Sequence, residues 1–68
     1  MTKFFKNGIQ IVEVLDPDYG DFGYSKINVY NINGRYLNTI RAYKFEIDKN
    51  YKREMTEDMI AKLILVQK

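Results

Sequence analysis

The chain contains neither cysteine nor histidine. Their absence removes disulfides, thiol chemistry, Ser-His-Asp and Cys-His nucleophiles and the ordinary zinc ligand sets. Serine is almost as scarce: Ser25 stands alone, with no neighbouring base to activate it. Neither glycine spacing of a phosphate-binding loop occurs. Asp16, Asp18 and Asp21 lie close together, but the Asp-x-Asp-x-Asp-Gly run and the closing glutamate of a calcium loop are missing, so they read as turn formers. No pair of carboxylates stands out for acid and base work, and 68 residues leave little room for a substrate cleft. The expectation is a non-enzymatic protein with no cofactor and no metal.

Long apolar runs are also absent. The start, Met1-Thr2-Lys3-Phe4-Phe5-Lys6, is not a signal peptide, and no later stretch could span a bilayer. A cytoplasmic setting without a membrane partner is therefore expected. At this length the chain forms one domain, residues 1–68, with a thin core, since such a domain buries only about 60% of its unfolded surface. An apolar fraction of 46% and a charged fraction of 29% fit a folded chain rather than a disordered one.

The most informative absence is local. Residues 24–45 contain no acid, yet they hold Lys26, Arg35, Arg41 and Lys44. Two alternating runs there flank Asn33-Gly34, which predicts a hairpin with a two-residue type I′ turn. That register pairs Ile32 with Arg35, Tyr30 with Leu37, Asn28 with Thr39, Lys26 with Arg41 and Tyr24 with Tyr43. Paired residues share a face. One face is then Tyr-rich and basic, which suits exposure. The other carries Ser25, Ile27, Val29, Ile40 and Ala42, which suits burial. The alternative is a three-residue loop, Ile32-Asn33-Gly34, with a bulge at Gly34, which would shift one strand.

Elsewhere, Asn7-Gly8 predicts a second type I′ hairpin in which a short strand at residues 3–6 places Phe4 opposite Ile11. Residues 9–15 read as a strand whose alternation slips between Ile11 and Val12, either through a bulge or because both faces are covered. Residues 16–23 form a loop long enough that the flanking strands need not pair. The hairpin's second strand runs on to Ile47, and residues 48–54 are a polar connection. Thr56 is a helix N-cap, Met55 and Ile60 form a hydrophobic staple, and Met59, Ile60, Leu63 and Ile64 make an apolar stripe with Val66 at its edge. A last strand at residues 63–66 is the rival. The fold expected is α+β: a small antiparallel sheet of three or four strands with one C-terminal helix packed on its branched face. An SH3-like small barrel with a helical tail is the alternative.

Function is then expected on the open hairpin face, through Tyr24, Lys26, Tyr30, Arg35, Leu37, Arg41 and Tyr43. Tyrosine and arginine favour a protein partner with an acidic surface, with Tyr30 and Leu37 at the centre of contact. The composition suits an accessory or inhibitor protein of a phage or mobile element. The alternative is a nucleic acid: Lys26, Arg35 and Arg41 for phosphates, the tyrosines for base stacking and Asn28 for an adenine edge. In element order alone, strands followed by a helix resemble the arm-type DNA-binding domains of some integrases. An open sheet edge offers a route to homo-oligomers.

Overall fold

The computed structural model describes residues 2–66. Strands β1 (Lys3–Lys6), β2 (Gln10–Val14), β3 (Tyr24–Asn31) and β4 (Tyr36–Tyr43) are followed by helix α1 (Lys44–Asn50), strand β5 (Arg53–Glu54) and helix α2 (Glu57–Ala61). The five strands form one antiparallel sheet in the order β4-β3-β2-β1-β5. The sheet is thus larger than expected, with a second helix that the sequence reading did not contain.

Both Asn-Gly turns depart from type I′, because neither asparagine takes positive φ. At the first, Asn7 builds the turn with its side chain. Its Oδ1 accepts the Ile9 N–H at 2.9 Å and the Gln10 N–H at 2.8 Å. The loop lengthens, Lys6 pairs with Ile11, and Phe4 faces Glu13 rather than Ile11. At the second, the Gly34 N–H donates to the Asn31 carbonyl at 2.9 Å and only Gly34 is left-handed. This is the three-residue loop. A bulge between Val29 and Tyr30 absorbs the extra residue, so Tyr30 pairs with Tyr36 and Leu37 loses that position. Below the bulge the expected pairs hold: Asn28 with Thr39, Lys26 with Arg41 and Tyr24 with Tyr43.

The slip between Ile11 and Val12 is not a bulge, since the β2 register is unbroken on both sides. Both faces of the sheet are covered. On one, Val12, Val14, Ile27, Val29 and Ala42 pack with Tyr19 and Ile47. On the other, Ile11, Tyr30 and Met55 pack with half-buried Phe4, Tyr36, Met59, Ile60, Leu63 and Leu65.

These two cores assign the helices differently from expectation. The branched face is covered by α1, whose Ile47 is fully buried. Residues 44–47 were expected to prolong β4, yet they turn into a helix because Glu46 reaches back to accept the Tyr43 N–H at 3.0 Å. A Lys44–Asp48 ion pair at 3.1 Å spans one turn, and as an exposed pair it adds little. The C-terminal helix instead covers the tyrosine face. Thr56 caps α2, accepting the Met59 N–H at 3.3 Å, and Met55 and Ile60 both join the second core. The helix ends early, however, and Ile64 is 78% exposed, so the stripe does not run through it. The chain must leave the helix because Val66 forms a parallel bridge with Arg35. The Val66 N–H donates to the Gly34 carbonyl at 2.8 Å, and the Tyr36 N–H donates to the Val66 carbonyl at 2.7 Å.

The loop at 16–23 does not keep β2 and β3 apart. Tyr19 folds into the first core at positive φ, and its carbonyl accepts the Gly23 N–H at 3.0 Å. Ser25 is buried and structural: its Oγ accepts the Asp16 N–H at 2.9 Å and donates to the Lys26 carbonyl at 2.8 Å. No helix among the described residues is long and apolar enough to cross a membrane.

Candidate binding surface

At the end of the β3–β4 hairpin away from its turn, four aromatic rings form a continuous strip. Tyr24 and Tyr43 are cross-strand partners, edge to face at 5.8 Å between centroids. Phe22 stacks on Tyr24 at 5.9 Å, and Phe45 stacks on Tyr43 at 5.9 Å. Phe22 precedes β3 and Phe45 lies in the first turn of α1. A bond from the Lys44 N–H to the Gly23 carbonyl, 3.2 Å, ties these two segments together. Three of the rings are open to solvent, Phe22 77% exposed, Phe45 68% and Tyr43 48%, while Tyr24 is half-buried. Arg41 sets its guanidinium 5.6 Å from the Tyr24 ring centroid, a cation–π contact. Lys26, its cross-strand partner, is exposed beside it.

Of the residues expected to form the surface, Tyr24, Lys26, Arg41 and Tyr43 come together here. The others do not. Tyr30 has 0% of its surface exposed, so the expectation that it stands at the centre of an open face is corrected. It stays on the tyrosine face but is a member of the second core, where it meets Tyr36 edge to face at 5.9 Å. Leu37 is exposed but no longer its partner, and Arg35 lies at the hairpin turn against Val66. Phe22 and Phe45 were missed. Their signal was present, because the Tyr24–Tyr43 pairing extended two residues outward places Phe22 opposite Phe45.

Between the strip and the buried end lies a polar network. Glu13 Oε1 accepts from Asn28 Nδ2 and from the Tyr30 hydroxyl, each at 3.1 Å. Thr39 donates to Asn28 Oδ1 at 2.7 Å and so accepts from the Tyr36 hydroxyl at 2.6 Å. Both ends of the Asn28 amide are thus engaged within the sheet. No group of three or more acidic, histidine or cysteine side chains able to hold a metal occurs among the described residues.

Tyr19 is buried in the first core and half-buried Tyr51 packs against it. Burial raises the Tyr19 hydroxyl above its ordinary range; nearby Asp48 raises it further, and Lys44 opposes the shift. Burial also raises Tyr51, whose hydroxyl donates to Gln10 Oε1 at 2.9 Å. No protein family, curated protein or solved structure matches this chain.

Proposed function

We propose that this chain is a non-enzymatic binding module that docks on a protein partner through the Phe22–Tyr24–Tyr43–Phe45 strip. The observation that carries the reading is the contiguous run of four rings, three of them exposed, with Arg41 against it. Such rings bury much area for few rotatable bonds, and arginine and tyrosine are enriched where binding energy concentrates. Lys26 and Arg41 favour an acidic rim on the partner.

A nucleic acid is supported less. Arg35 has left the cluster, Glu13 places a carboxylate in the neighbouring network, and the rings stack on one another rather than standing apart for bases. The strand order, with a short helix between β4 and β5, supports an SH3-like small barrel as the scaffold.

The test is a photo-crosslinking residue at position 22, used to capture the partner, followed by calorimetry with Tyr43→Ala. Loss of a central anchor weakens binding by about 30-fold, equivalent to ~2 kcal/mol. Unchanged affinity in Tyr43→Ala and Phe45→Ala would place the working surface elsewhere. Titration with DNA and RNA decides the other class: two phosphate contacts give a log K against log salt slope of roughly −2.

A further inference from the structure

A second feature lies away from the aromatic strip, among elements the sequence reading took for a hairpin turn and a polar connection. Where that reading left little room for a cleft, the structure has one of about 620 Å³, between the β1–β2 turn and the segment joining α1 to β5. Clefts of this size fit small ligands. Its walls include Lys6, Lys52 and Arg53 and no acid at all.

The placement of these cations runs against ordinary strand chemistry. Lys6 and Arg53 are direct cross-strand partners, and like charges placed opposite one another destabilise a sheet. Glu54, the next residue, pairs with Phe5 and so points to the other face. None of the three cations makes an ion pair or side-chain hydrogen bond among the described residues, where Lys44–Asp48 is the one salt bridge. Two acceptors in the lining are engaged elsewhere. Asn7 Nδ2 donates to the Asn50 carbonyl at 3.0 Å, and Asn7 Oδ1 is occupied by two backbone N–H groups. The cleft therefore lines up three cations with no acid in its walls and no ion pair to any of them among the described residues. Ile32, on the β3–β4 turn, adds an exposed apolar wall.

We infer that this cleft binds a small anion carrying a diphosphate group, with Lys6, Lys52 and Arg53 on the phosphates. Arg53 brings a fork of donors suited to two phosphate oxygens, and the two lysines act as point charges. Two sources share this chemistry. Inorganic pyrophosphate uses the cations alone, whereas a nucleoside diphosphate also sets its base or sugar against Ile32.

The experiment titrates the protein with pyrophosphate, ADP and adenosine at low salt, following amide shifts by NMR. Pyrophosphate and ADP shift the amides of residues 6–8 and 50–53, and adenosine does not. Arg53→Ala and Lys52→Ala each weaken the diphosphate ligands by about tenfold, the scale of one charge-assisted bond. Lys52 lies outside every strand, so its variant tests the site even if a change within β5 disturbs the sheet. Lys6→Gln raises the melting temperature of the free protein and loses the further rise that pyrophosphate gives the parent. Tighter binding of ADP than pyrophosphate, removed by Ile32→Ala, assigns the nucleotide; equal affinity assigns the inorganic anion. Absence of shifts at millimolar ligand, adenosine binding as tightly as ADP, or parent-like affinity in both Arg53→Ala and Lys52→Ala would overturn the proposal.

Discussion

The tyrosine face of the β3–β4 hairpin meets two different fates along its length. At the open end, Tyr24 and Tyr43 meet each other, Phe22, Phe45 and Arg41. At the turn end, Tyr30 and Tyr36 make the same kind of edge-to-face pair, yet Met55, α2 and the chain after it close over Tyr30. Pair chemistry does not separate the two. The bulge at Val29/Tyr30 and the bridge from Val66 do, because they bring a cover to one end and leave the other bare. The lesson is that an amphipathic ring is core or surface according to what the chain lays across it, so the face cannot be treated as a unit.

The largest test of that contrast is truncation at each end. Tyr30→Ala should cost about 3–5 kcal/mol in urea denaturation, as for other large buried rings, a loss on the scale of the whole stability of so small a domain. Tyr43→Ala should stay within ~1.5 kcal/mol, the range of a partly exposed aromatic pair. Similar losses at both positions would erase the distinction.

The cover itself is tested next. Leu63→Ala removes a half-buried member of the second core and should cost about 2 kcal/mol, whereas Ile64→Ala, next to it but exposed, should fall within ~0.5 kcal/mol. Equal melting shifts would mean that the stripe continues as a helix after all.

A smaller effect is expected from the turn that holds the cover down. Gly34 is left-handed, and a Cβ there would collide with the Ile64 carbonyl. Gly34→Ala should therefore cost about 1–3 kcal/mol and speed tryptic cleavage after Lys62. Gly8→Ala is the control: its φ is not positive and the space around it is open, so stability should hold or rise by a few tenths, ~0.4 kcal/mol.

The smallest effect concerns a tyrosine buried in the other core. Burial raises the folded-state Tyr19 hydroxyl above the unfolded value near 10. Its contribution is complete below that value and is lost as pH rises through the folded one, where the unfolded chain has already released its proton. Tyr19→Phe should flatten the alkaline decline of stability relative to the parent. Identical pH profiles would show that the hydroxyl titrates alike in both states.

Much of this was legible in local chemistry. Thr56 with Met55 and Ile60 announced α2, and the alternation around Asn28–Thr39 gave the lower hairpin register. What was hidden depended on side chains that take over backbone roles and on segments that meet only in the folded chain. Asn7 used its side chain rather than its backbone to turn. Glu46 converted a strand-like stretch, Lys-Phe-Glu-Ile, into α1 by reaching back to Tyr43. Tyr19 gave up ordinary backbone geometry to enter the core. The candidate surface was half legible for the same reason. The cross-strand tyrosines followed from register, whereas the two phenylalanines needed the loop and the helix to meet at Gly23 and Lys44.

The bond between Val66 and the Gly34 turn also sets an order of events during synthesis. Ile11 and Tyr30 are made early, but their cover includes Leu63 and Leu65 and is fastened by Val66. Until that residue has been made, the nascent chain carries an uncovered patch on a sheet whose other face can already close. Contacts so distant in sequence form slowly, and transiently open apolar surface invites association. The last steps of folding therefore follow rather than accompany translation of the sheet, and a ribosome stalled before residue 66 would hold a half-finished protein with its tyrosine side adhesive.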